Sequence, residues 1–183
     1  MRWPDGIKVA VNVSAVQFRD EIVVASVREA LTASRLPPAR LELEITESVL
    51  LKDNVATLAT LHALRRLGVR IAMDDFGTGY SSLSYLRSFP FDRIKIDQSF
   101  VRDITPDSDS GLIVRAVIGL GASLGMRTTG EGIETQTQFD RLKAEGCDEG
   151  QGYLIAKPGP AATVPEVIAR WSDTRSRSAR AVA

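Results

Sequence analysis

The sequence predicts an α/β fold built on a mainly parallel sheet. Three observations carry that reading. Short apolar runs alternate with longer amphipathic stretches, several of those stretches stop at a glycine, and nearly every apolar run ends in a polar residue. Strands that alternate with helices imply right-handed βαβ units. About six strands fit either an open doubly wound sheet or an incomplete eight-stranded barrel.

The elements follow in order. Strands are expected at Ile7 to Val13, Leu41 to Ile45, Val69 to Met73, Arg93 to Ile96, Met126 to Gly130 and Gly152 to Ala156. Between the first two, Glu21 to Leu36 carries Ile22, Val23, Val27, Ala30 and Leu31 at helical spacing. Asn54 to Leu67 carries Leu58, Leu61, Leu64 and Leu67 and then meets Gly68. Asp109 to Leu124 carries Ile113, Val117, Leu120 and Leu124 before Gly125, and Thr135 to Glu145 ends at Gly146 in the same way. Val164 to Trp171 is a last helix, with Pro165 tolerated in its first turn. The polar, basic residues beyond it read as a disordered tail over 173–183.

Composition excludes several functions. Lys plus Arg and Asp plus Glu are 23 each, so no general basic field exists to hold nucleic acid. A single cysteine, Cys147, supports neither a disulfide framework nor a Cys-rich zinc site, and a single histidine, His62, supports no His-cluster metal site. His62 lies mid-helix among leucines, which removes a Ser-His-Asp triad. No run of roughly 20 apolar residues is present to span a membrane, and the opening Met1-Arg2-Trp3-Pro4-Asp5-Gly6 has no signal-peptide core. The expected location is the cytoplasm.

Strand parity locates the chemistry. Side chains alternate faces with a period of two. Val9, Val11 and Val13 oppose Ala10 and Asn12; Leu41, Leu43 and Ile45 oppose Glu42 and Glu44; Ile71 and Met73 oppose Ala72 and Asp74; Ile94 and Ile96 oppose Lys95 and Asp97. If the large aliphatic side chains pack on the helices, the polar ones point inward near the carboxyl ends of the strands, where α/β folds bind ligands. Inward carboxylates repel one another unless a cation lies between them. Carboxylate and amide oxygens without Cys or His suit Mg²⁺ or Mn²⁺, and adjacent Asp74 and Asp75 are suited to bridging two ions. Lys95 in the same cavity would orient or deprotonate water, or neutralise a phosphate oxygen. A Schiff-base lyase using Lys95 is disfavoured, because nearby carboxylates raise a lysine pKa. Asp75-Phe76-Gly77-Thr78-Gly79-Tyr80-Ser81-Ser82 reads as a mobile contact loop beside the metals.

Taken together, these stretches resemble the EAL family of cyclic di-GMP phosphodiesterases. The matching runs are Val11-Asn12-Val13-Ser14, Glu44-Ile45-Thr46-Glu47-Ser48, Asp74 through Leu83, Lys95-Ile96-Asp97-Gln98-Ser99-Phe100-Val101, Glu131-Gly132-Ile133-Glu134-Thr135 and Gln151-Gly152-Tyr153. The resemblance implies an incomplete (β/α)₈ TIM-like barrel over residues 1–172. It implies two Mg²⁺ or Mn²⁺ ions and hydrolysis of cyclic di-GMP to linear pGpG by two-metal, in-line attack of water. It makes Asn12, Glu44, Asp74, Asp75 and Glu131 metal ligands, with Lys95 and Glu131 catalytic. Asp97 and Gln151 become substrate-binding residues, and Glu47 the anchor of the Asp75–Ser82 loop. It also implies a homodimer and an upstream sensory or GGDEF-type domain.

The chain departs from the family pattern in having no Glu-Ala-Leu run. It opens at the strand after the one that bears that signature, so two strands, a glutamate ligand and a substrate-gripping arginine are expected to be absent. Impaired hydrolysis follows as an expectation; the alternative is a catalytically silent cyclic di-GMP-binding or dimerisation module.

Overall fold

The computed structural model describes residues 6–19, 22–50, 54–77, 86, 89, 91–105 and 108–170. Six strands form one sheet: β1 (Val9–Asn12), β2 (Leu41–Thr46), β3 (Arg70–Phe76), β4 (Arg93–Ile96), β5 (Arg127–Gly130) and β6 (Glu149–Gly150). Their order in space is their order in the chain, and every neighbouring pair is parallel. A doubly wound sheet would reverse its strand order at a switch point; this sheet never does. It curls instead. Lys95 on β4 reaches Glu44 on β2 and Glu131 just past β5, and one cleft is lined from Ala10 on β1 to Gln151 past β6. The architecture is a partial TIM-like barrel.

Helices cover the outer face: α1 (Ala15–Arg19), α2 (Ile22–Ser34), α3 (Glu47–Leu50), α4 (Asn54–Arg66), α5 (Gln98–Arg102), α6 (Asp109–Leu124) and α7 (Gln136–Ala144). Residues 164–170 are also helical, while Trp171 and the tail expected over 173–183 lie outside the described residues. The core sits between helices and sheet. Leu43, Ile45, Ile71, Met73, Ile94 and Ile96 bury one face of the strands against a layer that includes Leu61, Leu64, Val114 and Val117. At the edge of the described sheet, Val11 on β1 remains 43% exposed, beside an apolar groove of about 370 Å³ between β1 and α2.

Local chemistry sets the helix ends. Thr135 and Gln138 form a capping box on α7, with Gln138 N donating to Thr135 Oγ1 at 3.3 Å and Thr135 N to Gln138 Oε1 at 2.9 Å. Ser108 caps α6 by accepting from Gly111 N, and Gly125 ends it with φ 70°, a left-handed turn that glycine adopts without steric cost.

One expected strand is corrected. Gly152 to Ala156 is a turn, and the sixth strand is the two-residue β6 just before it. Ile155 N and Ala156 N both donate to Gly152 O, at 3.0 and 3.2 Å, which winds the segment instead of extending it. β3 also runs farther than expected, through Asp74 and Asp75 to Phe76. The short helices α1, α3 and α5 had no periodic signal, since five residues or fewer give barely one helical turn.

Candidate active site

The site is built on alternate residues of every second strand, β2, β4 and β6. Two residues along a strand return to the same face, so Glu42 and Glu44, Arg93 and Lys95, and Glu149 and Gln151 each place two side chains on the concave side, one above the other. All six line one cleft of about 180 Å³.

The upper layer is centred on Lys95. Its Nζ lies 2.8 Å from Glu44 Oε2, 2.8 Å from Asp74 Oδ1 and 2.6 Å from Glu131 Oε1. Three N–H donors thus meet three carboxylates, and the ammonium is buried, with 3% of the residue exposed. Burial works against that charge, but the hydrogen bonds Lys95 donates to Asp74, Glu131 and Glu44 outweigh it and hold the lysine above its ordinary pKa. Glu131 is pushed up by burial, against the opposing hydrogen bond from Lys95.

Asn12, at the end of β1, joins this layer. With its amide nitrogen inward it donates to Asp74 Oδ2 at 3.2 Å and Glu44 Oε2 at 3.3 Å. Turned the other way it presents a third oxygen to two carboxylates, an arrangement that needs a cation.

Asp75 is brought in by a local irregularity. Its φ is 53°, and the β3–β4 register shifts between Met73 and Phe76. Met73 pairs with Ile94 and Phe76 with Ile96, so β3 holds one extra residue there, a bulge. One carboxylate oxygen each from Asp74, Asp75 and Glu131 then lies within 4.8 Å of the others. Burial raises the Asp75 pKa, and the charges of Asp74 and Asp97 add to it.

The remaining expected residues are placed as follows. Asp97 caps α5, accepting from Ser99 N at 2.9 Å. Gln151 lines the cleft, held by its backbone: N donates to Gly130 O at 2.9 Å and O accepts from Ile133 N at 3.0 Å. Glu47 opens α3 and is buried. Its expected hold on the Asp75–Ser82 loop concerns residues 78–82, which lie outside the described residues. His62 is exposed on α4 with its ring edge on Phe89, 5.2 Å between centroids, away from the cleft.

Strand parity puts Glu42 on the face of Glu44, but sequence reasoning gave it no role and missed Arg93 and Glu149 below the Lys95 layer. Arg93 is 4% exposed; its Nε lies 2.9 Å from Glu42 Oε1, and its Nη1 2.6 Å from both Glu149 Oε2 and Thr129 Oγ1. The signal was available: the parity that turns Glu44 and Lys95 inward also turns Glu42 and Arg93 inward.

An oxygen-rich pocket around a buried ammonium can hold hard divalent cations and stabilise an anion. The chain's likeness to known proteins agrees with that chemistry. A family model described as the EAL domain matches residues 1–158. The uncharacterized protein y4lL of Sinorhizobium fredii is 54% identical over 173 residues, 94% of this chain and 21% of that protein. MucR of Pseudomonas aeruginosa, named a bifunctional diguanylate cyclase/cyclic di-GMP phosphodiesterase, is 44% identical over 163 residues, 87% of this chain and 24% of its own length. The solved MucR phosphodiesterase, in complex with c-di-GMP, superposes with a TM-score of 0.83 over 86% of this chain and 70% of that one. Klebsiella pneumoniae BlrP1, solved with manganese and the same dinucleotide, gives 0.77 at 33% identity, over 82% of this chain and 39% of that one. The chain therefore spans about a fifth to a quarter of these curated relatives. Among the described residues, no helix is long and apolar enough to cross a membrane. The chain belongs to the EAL domain family.

Proposed function

We propose that this chain is a cyclic di-GMP phosphodiesterase domain that opens the cyclic dinucleotide to linear pGpG by in-line attack of water. The observation that carries the reading is the seating of Lys95 between Glu44, Asp74 and Glu131. Asn12 and Asp75 stand beside them, and every donor is a hard oxygen.

That donor set fits two Mg²⁺ or Mn²⁺ ions. Carboxylates outnumber the ammonium that now separates them, and Asn12 can turn its oxygen inward. Asn12, Glu44, Asp74, Asp75 and Glu131 would hold the ions. When bound, such ions lower the pKa of water and neutralise charge on a phosphoryl group.

The chain's own residues orient the reactants. With Glu44 and Asp74 committed to the ions, Lys95, an ammonium and so a donor, would have two of its three N–H bonds left to direct the attacking water and to bind the phosphate oxygen that gains charge. Glu131 accepts one of its hydrogen bonds and so fixes the direction of the other two. The water oxygen bonds to phosphorus as the bond to O3′ breaks, leaving a 5′-phosphate and a 3′-hydroxyl that takes up the proton. Asp97 and Gln151 contact the substrate, and Glu47 steadies the Asp75–Ser82 loop. MucR and BlrP1, both solved with this dinucleotide, support the substrate class. The reading extends to a homodimer in the cytoplasm and to a GGDEF-type or sensory domain in the same protein, as the bifunctional name of MucR suggests.

The test is chromatography of the products formed from cyclic di-GMP with Mn²⁺, on the purified chain with and without any further segment its gene encodes. Lys95→Ala and Glu44→Ala are each expected to lower turnover by at least about 100-fold. Near-normal rates in either variant would overturn the assigned roles. Binding without turnover in every form would make the domain a silent receptor, and absence of both would end the proposal.

A further inference from the structure

Among the described residues of the cleft, two buried cations, Arg93 and Lys95, divide five carboxylates between them with none shared between layers; Lys8, which is exposed, also lines the cleft, and Asp75 lies beside the upper set. Arg93 engages Glu42 and Glu149; Lys95 engages Glu44, Asp74 and Glu131. The sorting is not imposed by distance alone. The layers are two residues apart, about 7 Å at the usual strand rise, and a lysine side chain is long and flexible. Glu42 is 5% exposed, and its Oε2 has no hydrogen-bond partner among the described residues, so a buried acceptor stands open below Lys95. Such an atom is costly to leave unsatisfied and attracts any nearby donor.

Donor geometry explains how the two sets stay apart. A guanidinium presents five N–H donors in a rigid fork, an ammonium three at one point. Arg93 spends its fork on Glu42, on both oxygens of Glu149 and on Thr129. Lys95 spends its three donors on the three upper carboxylates. Without the fork, Glu149 would keep Arg127, but the buried Glu42 would lose its ion pair and compete with the three upper carboxylates for the N–H bonds of Lys95.

We propose that Arg93 is a positioning residue for Lys95: by occupying Glu42 and Glu149 it leaves the ammonium no lower partner and confines it to the reactive layer. Its catalytic consequence rests on the phosphodiesterase reading; the placement of the ammonium does not.

The experiment compares the full chain with Arg93→Met and with Arg93→Met/Glu42→Gln/Glu149→Gln. The readout is the ¹H–¹⁵N signal of the Lys95 ammonium, assigned by its loss in Lys95→Arg, together with turnover of cyclic di-GMP. Arg93→Met should shift or broaden that signal and lower turnover by about tenfold or more. The triple variant removes the competing charges, and neutral replacement of a buried ionic triad is commonly tolerated. It should restore the signal and bring turnover back to within about threefold of the parent. A brace acting through shape alone would not be rescued by removing its partners. An unmoved signal in Arg93→Met, or an unrescued one in the triple variant, overturns the proposal. If Arg93→Met does not fold, Arg93→Lys, which keeps the charge and loses the fork, takes its place, with rescue sought in Arg93→Lys/Glu149→Gln under the same criteria. If the signals behave as expected and no form of the protein turns over cyclic di-GMP, the placement stands and the phosphodiesterase reading fails.

Discussion

Neighbouring residues on a regular strand face opposite sides, so Asp74 and Asp75 would not meet on an unbroken β3. The bulge, with Asp75 at φ 53°, turns the second carboxylate toward the first. The conformation is left-handed, which costs most residues roughly 1–2 kcal/mol and Asn or Asp less, because their short polar side chains bond locally. Charge adds to the cost: burial, then Asp74 and Asp97, all disfavour the ionised Asp75. The residue is therefore held in place at the expense of the metal-free fold. Asp75→Asn, which keeps the backbone preference and drops the charge, should leave the metal-free chain as stable as the parent to within about 1 kcal/mol. Asp75→Val, with a β-branched side chain in the left-handed region, should lose about 2 kcal/mol. Urea midpoints without metal decide it; equal losses in the two variants would mean that the backbone conformation is not what selects Asp.

Among the elements, β6 and the turn after it show where a sequence pattern stops being informative. Gly152-Tyr153-Leu154-Ile155-Ala156 has the apolar look of a buried strand. Its fate is set by contact with a distant segment: a Cβ on Gly152 would lie 2.2 Å from both Ile133 N and Ile133 O. The chain can pass Ile133 that closely only with hydrogen at this position, and the passage leaves Leu154 N donating to Ile133 O at 2.9 Å. Gly152→Ala should thus cost about 2–3 kcal/mol, the upper range for overpacking, because backbone must move. Gly119, mid-way along α6 with nothing within 4 Å of its missing Cβ, is the control, and Gly119→Ala should gain about 0.5–1 kcal/mol. If both variants change stability in the same direction, close packing at Gly152 is not the cause. The contrast also explains what could be read in advance. β4 and α6 fall at their expected bounds, since period and capping are local properties of the chain. Asn12, Glu44, Asp74 and Lys95 meet because the period of two is equally local. The bulge at Asp75, the wound turn at Gly152 and the burial of Arg93 arise only once separate segments touch, and no local pattern carries them.

At the scale of the molecule, a chain with as many basic as acidic residues is unevenly charged. Glu42, Glu44, Asp74, Glu131 and Glu149 face Arg93 and Lys95 on the concave side, so the interior is negative and the rest of the chain balances it. Glu149 joins the last described strand to this interior, pairing with Arg93 and, at 3.1 Å, with Arg127. Burial alone would raise its pKa, but the Arg93 contacts and then Arg127 draw it below the ordinary glutamate value. A folded-state pKa below the unfolded one means that the unfolded chain binds more protons as the solution turns acid. The stability contributed by Glu149 is therefore complete above its unfolded pKa, near 4.5, and is lost as pH falls through the lower folded value. Glu149→Gln, which cannot ionise, lacks that contribution at every pH. The variant should have a lower urea midpoint than the parent at pH 7, and the gap should narrow steadily once the pH drops below about 4.5. An arginine side chain does not titrate at these pH values, so the change in the gap follows the carboxylate. A gap that is the same in acid as at neutrality would show that Glu149 acts through packing, and that the pairing of charge across the cleft does not hold β6 to β4.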